Sequence, residues 1–325
     1  MKKTFKVASF FSGCGGMDLG TLGNFKFLNT KYKKHPTEIV YSSDFDKPIC
    51  DLYKLNFNHM NVCDDIRNIK SHSIPKHDVL TGGFPCQSFS VVAQNPKRLG
   101  YKDDKGKLFF ELCRILKDKK PQVFIAENVK GLLSANKGEA FPLILEEFRK
   151  VGYHIQYSIL NASHFGIPQK RERVFIVGFK NKKQADKFSF PNPTTEKCPP
   201  TLSQVILDES EIEDKYYFSK KAVEGLKKTK NSKSMNKGRS QNINDPCNTV
   251  TSHLAKVSLN STDPVLNING KYRMFTPLEV ARIQSFPDNY KLVESRKTNY
   301  VALGNAVPPV LMWHVINSVL ITFDF

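Results

Sequence analysis

Three stretches of the chain each bring a reactive side chain to the end of an apolar run. Cys86 follows 78-DVLTGGFP-85, Glu127 closes 122-QVFIA-126, and Arg171 and Arg173 fall in 169-QKRER-173, at the start of 173-RVFIVGF-179. A thiol becomes a useful nucleophile when nearby positive charge or a helix N-terminus lowers its pKa, and QKRER offers that charge. A glutamic acid beside such a pair can donate or hold a proton. Each residue has a plainer alternative: cysteine is commonly a small packed hydrophobe, and a lone glutamate is commonly a surface carboxylate. Position favours chemistry, because ligands gather at the carboxyl edge of a parallel sheet and three strand ends here carry Cys, Glu or Arg.

A fourth stretch, 8-ASFFSGCGGMDLG-20, is a strand that breaks into a glycine turn and then opens a helix. That arrangement lets a ligand approach backbone N–H groups. It lacks the Gly-Lys-Ser/Thr of a P-loop and departs from GxGxxG, so alone it reads equally as a tight structural turn. The next strand, 38-EIVYSSD-44, ends in Asp44, followed by Phe45 and Asp46. An acid there is placed to grip ribose hydroxyls, and the two features together point to an adenosine-containing cofactor. Asp65 adds an acceptor for an adenine amino group, or else caps a helix.

These positions require a scaffold, and the chain supplies one by alternating strands and helices. Apolar strands at 5–11, 38–44, 78–83, 122–129, 153–160 and 173–179 are separated by helical stretches near 47–57, 107–118 and 140–152. Strands apolar on both faces predict an α/β fold with a Rossmann-like, mostly parallel, doubly wound sheet. From 181 the alternation stops, prolines cluster, and 227-KKTKNSKSMNKGR-239 carries six basic residues and no acid. This region predicts a smaller, loop- and strand-rich domain, although a charge run is commonly a solvated loop. Regular pattern returns at 276-TPLEVARIQSF-286, with Thr276 as N-cap, Pro277 in the first turn and Glu279 completing a capping box. The apolar stretch 308-PPVLMWHVINSVLITF-323 predicts a helix docked on the first sheet.

Composition narrows the function classes. Over 325 residues, 49 Lys+Arg stand against 31 Asp+Glu, and a net +18 points to a polyanion such as nucleic acid. The seven cysteines are scattered and never spaced as CxxC, so neither a disulfide framework nor a zinc site is indicated, and a reducing cytoplasm fits. The N-terminus does not read as a signal peptide, and no window reaches the roughly 18 apolar residues of a membrane span.

A reaction that uses an adenosine cofactor, a thiolate, a carboxylic acid and a cationic clamp is methylation of a pyrimidine carbon. Carbon 5 of cytosine is too weak a nucleophile to attack a sulfonium methyl, but thiolate addition to carbon 6 makes it an enamine carbon. An acid on N3 and an arginine on O2 hold the displaced electrons. In duplex DNA the base must first leave the stack.

The ordered set FFSGCGGMDLG, GFPCQSFS, ENVKGLL, QKRERVF, RMFTPLEVARIQSFP and GNAVPP resembles the motif series of the DNA (cytosine-5) methyltransferases, in the order of the bacterial modification enzymes, over nearly the whole chain. The resemblance implies the S-adenosylmethionine-dependent methyltransferase fold, with 1–180 plus 295–325 as catalytic and cofactor-binding domain and 181–294 as target-recognition domain. It implies Cys86 as nucleophile, Glu127 as the acid on the base, and Arg171 and Arg173 as positioners of the base and its ring oxygen. It assigns the cofactor to Phe11, Gly13, Gly15, Asp44, Phe45, Asp65, Ile66, Pro85, Asn305 and Val307. The family's active-site loop maps to about 88–106, where Ser90 would fill the gap left by the flipped base and Lys105 would meet a phosphate. In the recognition region Thr249, of a Thr-Val pair, and Arg239 are the candidate DNA contacts.

Two positions depart from the family pattern. The ribose acid is Asp44 where Glu is usual, with Asp46 placed to share the contact, and the loop cation is Lys105 where Arg is common. The implied cofactor is S-adenosylmethionine, leaving as S-adenosylhomocysteine, without metal. The implied partner is double-stranded DNA, acted on by a monomer, with a separate cognate restriction endonuclease. Two rivals stay open: a cytosine-5 methyltransferase acting on tRNA, and a non-catalytic nucleic-acid-binding protein on the same fold.

Overall fold

The structure, a computed structural model, describes residues 4–85, 107–228, 239–254 and 263–323. Seven strands form the central sheet: β1 (Phe5–Phe10), β2 (Thr37–Asp44), β3 (Asn61–Cys63), β4 (Val79–Gly82), β5 (Val123–Val129), β6 (His154–Asn161) and β7 (Glu172–Phe179). Their order is β3-β2-β1-β4-β5-β7-β6. The first five run parallel and β7 runs antiparallel to both its neighbours. The reversal follows from chain length. Only a short 3-10 turn and a two-residue strand separate β6 from β7, too little for the crossover a parallel pair needs.

Alternate residues of the strands feed two apolar layers, as the period of two requires. Val7, Val79, Val123, Ile125 and Val177 pack on one face with Met17 of α1 (Gly16–Leu22) and residues near the C-terminus. Ala8, Leu80, Phe124, Ala126 and Ile176 pack on the other. There they meet Leu112, Ile115 and Leu116, in the helix Lys107–Lys119, and Ile144 and Phe148, in the helix Ala140–Lys150. The sheet is thus covered on both sides. A second helix, α2 (Lys47–Lys54), leads from β2 towards β3.

The C-terminal pattern forms α3 (Pro277–Ile283), α4 (Arg296–Asn305) and α5 (Pro309–Ile321). The capping box forms as spaced: Glu279 N–H donates to Thr276 Oγ1 at 3.2 Å, and Thr276 N–H donates to Glu279 Oε2 at 2.7 Å. The expected docking of the last helix is made chiefly against α1, and Phe323 beyond it meets Phe5 of β1 edge-on at 4.9 Å. The stretch Arg296–Ile321 is long and apolar enough to cross a membrane by composition. It is two helices parted at 306–308, and Leu303, Val310, Val315 and Val319 lie in the core.

Between 181 and 294 the elements are short. A three-stranded sheet joins Ser240–Gln241, Val265–Ile268 and Lys271–Arg273, and the strand Cys247–Asn248 pairs with Gln169–Lys170. The apolar layer beneath is continuous with the main core, since Leu202, Val250, Phe275 and Val280 share it with Val7 and Val177. An ion pair fixes the three-stranded sheet to α3. Glu279, with no exposed surface, accepts from Arg273 Nη2 at 2.7 Å and Nη1 at 2.8 Å, and from Leu207 N–H at 3.0 Å. Removing one partner of such a pair strands the other charge. Glu279→Ala is expected to lower unfolding stability by about 3–5 kcal/mol, read by chemical denaturation.

Candidate active site

A cavity of about 760 Å³ runs along the carboxyl edge of the sheet. It lies where β1 and β4 are neighbours and the strand order turns back, the position at which doubly wound sheets hold ligands. One end of its wall is the glycine turn. Phe11 and Gly13 take positive φ of 52° and 55° and both line the cavity. The turn is tied to β2, because Ser12 N–H donates to Ser43 O at 3.0 Å and Gly13 N–H donates to Asp44 Oδ2 at 2.9 Å. Tyr290 Oη–H donates to Cys14 O at 2.6 Å and braces it from the C-terminal region.

Asp44 accepts a second backbone N–H, from Asp46 at 3.1 Å. Burial pushes its carboxyl above the usual range, against the pull of these donors. Phe45 lies beside it on the wall with 72% of its surface open, an apolar face with nothing packed over it. Asp65 and Ile66 complete this end. Arg67 Nε and Nη2 donate to the two oxygens of Asp65 at 2.9 and 2.6 Å and hold its carboxyl below the usual range. Asn305 and Val307 close the wall from the C-terminal side.

Gly15 corrects the expectation. It is not on the cavity wall: at φ 83° it packs against Phe57, where a Cβ would come within 2.2 Å of a ring carbon. Gly16 lines the cavity in its stead.

The other end of the cavity gathers the groups expected to act on a base. β4 delivers Gly83, Phe84 and Pro85 to the wall, and Cys86, the next residue, lies outside the described residues, as do Ser90 and Lys105. Glu127, 8% exposed, faces this strand end: a Cβ on Gly83 would sit 3.4 Å from its Oε2. Its Oε1 is 3.1 Å from Arg173 Nε. Burial raises the Glu127 carboxyl, and Arg173 first and Arg171 second pull it back down. The six described cysteines make no rival nucleophile. Burial pushes Cys14 up to about 12 and raises Cys50, Cys113 and Cys247, while neither Cys63 nor Cys198 lines the cavity.

The two arginines differ in their commitments. Arg171 is 1% exposed and donates from Nη1 to Val250 O, and from Nη2 to Gly304 O and Ala306 O, each at 3.0 Å. Most of its guanidinium therefore braces backbone, unlike the base-positioning role expected of it. Its Nε–H, on a residue lining the cavity, has no partner among the described residues. Two buried glutamines extend the brace. Gln169 accepts from Val250 N–H at 3.0 Å and donates to Gln284 Oε1 at 2.8 Å, and Gln284 donates to Leu303 O. Sequence reading missed them; the visible sign was a lone amide side chain in the apolar run 280-VARIQSF-286. Asn128, also assigned no role, donates to Phe84 O at 2.9 Å and fixes the turn that leads to Cys86.

Of the expected DNA contacts, Thr249 borders a second cavity of about 550 Å³ that shares Val129 and Arg173 with the first, and its Oγ1–H donates to Lys170 O at 2.8 Å. Arg239 is a correction. It is 5% exposed and its Nε–H donates to Asp263 O at 2.9 Å, a buried setting where the sequence suggested a surface cation.

The model of the C-5 cytosine-specific DNA methylases matches residues 5–320. Among curated proteins, the Type II methyltransferase M.Bsp6I of Bacillus sp. (strain RFL6) is 36% identical over 313 residues, covering 93% of this chain and 94% of that protein. M.FnuDI of Fusobacterium nucleatum, also a Type II methyltransferase, is 34% identical, covering 97% and 94%. Among solved structures, the Entamoeba histolytica methyltransferase EhMeth superposes with a TM-score of 0.77 at 19% identity, over all of both chains. The Dnmt2 methyltransferase of S. pombe gives 0.75 at 18% identity, over 99% of this chain and 100% of that one.

Proposed function

Because the chain belongs to the C-5 cytosine-specific DNA methylases, we propose that it methylates carbon 5 of a flipped-out cytosine in double-stranded DNA, within a restriction-modification system in the bacterial cytoplasm. One observation carries the residue-level reading: the strand end that leads to Cys86, the Glu127–Arg173 pair and the glycine turn with Asp44 share one cavity. That cavity is in the range that holds a nucleoside-sized ligand, roughly 300–1,000 Å³.

The residues fit S-adenosylmethionine. Gly13 lines the cavity, and a Cβ there would meet no protein atom within 4 Å, so only open space for a ligand lies over it. Asp44 keeps oxygen lone pairs for ribose hydroxyls beyond its two N–H donors, the exposed Phe45 ring offers a face to adenine, and Asp65 and Ile66 lie beside it. Bound there, S-adenosylmethionine supplies an electrophilic methyl and leaves as S-adenosylhomocysteine. Gly13→Val is expected to weaken its binding by about tenfold or more, read by calorimetry. The positive φ adds a strain of about 1–3 kcal/mol to the variant, and the fold otherwise loses no contact.

The chain's own groups then act in sequence. The Cys86 thiolate adds to carbon 6 of the base, which makes carbon 5 nucleophilic. Glu127, whose carboxyl burial raises, donates to N3, where the displaced electrons collect, and Arg173 and the Nε–H of Arg171 face O2 of the base. Loss of the carbon 5 proton and expulsion of the thiolate restore the base. Region 181–294, with Thr249 on the wall of the adjoining second cavity, reads the target sequence, and the enzyme acts as a monomer beside a separate endonuclease.

The test is a trap. Fluorine at carbon 5 of the target cytosine blocks the proton loss, so duplex DNA carrying 5-fluorocytosine is expected to stay bonded to Cys86 in a peptide map. Bisulfite sequencing of DNA from an expressing host identifies the target. Active enzyme without that adduct, or methyl label entering tRNA in place of DNA, overturns the reading.

A further inference from the structure

Two thiols unused by this chemistry lie behind the cofactor end of the cavity. Cys50, in the first turn of α2, has no exposed surface, and its Sγ–H reaches Asp44 O at 3.4 Å. Cys63 ends β3, pairs in register with Asp44, is partly exposed and reaches Phe45 O at 4.0 Å. The two thiols thus reach the carbonyls of consecutive residues, Asp44 and Phe45, and both are free. Their chain neighbours Ile49 and Asp64 line the cavity.

We propose that Cys50 and Cys63 form a redox-active pair that a low-molecular-weight disulfide closes, lowering the cavity's affinity for S-adenosylmethionine. The affinity half rests on the cofactor reading above. Cys63 is the entry thiol because it is accessible, whereas burial and then Cys63 itself push the Cys50 thiol up. The Cys63 thiolate attacks the oxidant R–S–S–R, forming Cys63–S–S–R and releasing RS⁻. Cys50 then gives up its proton and displaces the second RS⁻, leaving one Cys50–Cys63 disulfide and two RSH. The two cysteines lose two electrons and the oxidant gains them. Closure withdraws both S–H donors from the carbonyls of Asp44 and Phe45 and draws α2 towards β3. The Asp44 carboxylate, which accepts N–H donors from Gly13 and Asp46, ends the strand that lies beside β3 and leads into α2.

The test treats the reduced, full-length protein with oxidised glutathione, blocks remaining thiols with N-ethylmaleimide and maps peptides. In parallel, S-adenosylmethionine binding is titrated by calorimetry before oxidation, after it, and after dithiothreitol. A Cys50–Cys63 linked peptide is expected, with affinity down about tenfold or more and restored on reduction. The same loss is expected in a Cys86→Ala background, which separates it from oxidation of the nucleophile. Cys63→Ser is expected to bind as the reduced protein does and to ignore the oxidant. Glutathione on Cys63 without a linked peptide overturns the proposal, and so does a linked peptide with unchanged affinity. If the reduced protein binds no S-adenosylmethionine, the cofactor reading falls and takes the affinity half with it, whatever the peptide map shows.

Discussion

Cys86→Ala is expected to abolish methyl transfer from a tritiated donor to DNA, a loss of roughly 10⁴-fold or more, while S-adenosylmethionine binding is unchanged. The size follows from the reaction. Without a nucleophile on carbon 6 the cytosine ring keeps its electrons, and carbon 5 does not attack. Cys86→Ser is expected to fail equally, since a hydroxyl is hardly ionised at neutral pH. No other described thiol can replace it, because Cys14, Cys113 and Cys247 are buried with their ionisation suppressed, and Cys50, Cys63 and Cys198 do not line the cavity. Binding is expected to survive because the residues proposed to hold the cofactor, from Gly13 to Asp65, lie at the other end of the cavity. Residual transfer in either variant would mean that the thiol is not the nucleophile.

Glu127→Gln is expected to lower kcat by about 10²–10⁴-fold and to erase the alkaline limb of the pH–rate profile. Burial raises the Glu127 carboxyl, so the acid keeps its proton to higher pH than an exposed glutamate, and activity falls as pH rises through that raised value. Arg173 is the largest influence in the opposite direction. Removing its charge, as in Arg173→Gln, raises the carboxyl further and is expected to move the alkaline limb to higher pH, even as the rate drops. A limb that persists in Glu127→Gln belongs to some other group. A limb that moves down in Arg173→Gln contradicts the pairing of Glu127 with Arg173.

Much of this site was legible because strand periodicity and strand ends are local properties. The run 123-VFIA-126 is apolar at every position because both faces of β5 are covered, and its end presents Glu127 to the cavity. The capping box of α3 was equally local. What failed depended on partners distant in sequence. Gly15 looked like a ligand contact until Phe57, some forty residues on, proved to be packed against it. Arg239 ended a basic run and read as surface, but the carbonyl it serves belongs to Asp263. The antiparallel sense of β7 was readable only from the missing crossover helix. Arg171 marks the limit most plainly, since its three carbonyl partners lie 79 to 135 residues away.

The brace around Arg171 bears on how the protein can change its target. Val250 belongs to the region proposed to read the target, Gly304 and Ala306 to the cavity wall proposed to hold the cofactor, and one side chain holds all three. Among the described residues, Cys247–Asn248 is likewise a strand only through Gln169–Lys170. A graft of new recognition residues therefore has its natural seams outside 247–250, leaving those four positions with the host. Cut inside them, the transplant would alter the grip on the methyl donor along with the sequence read.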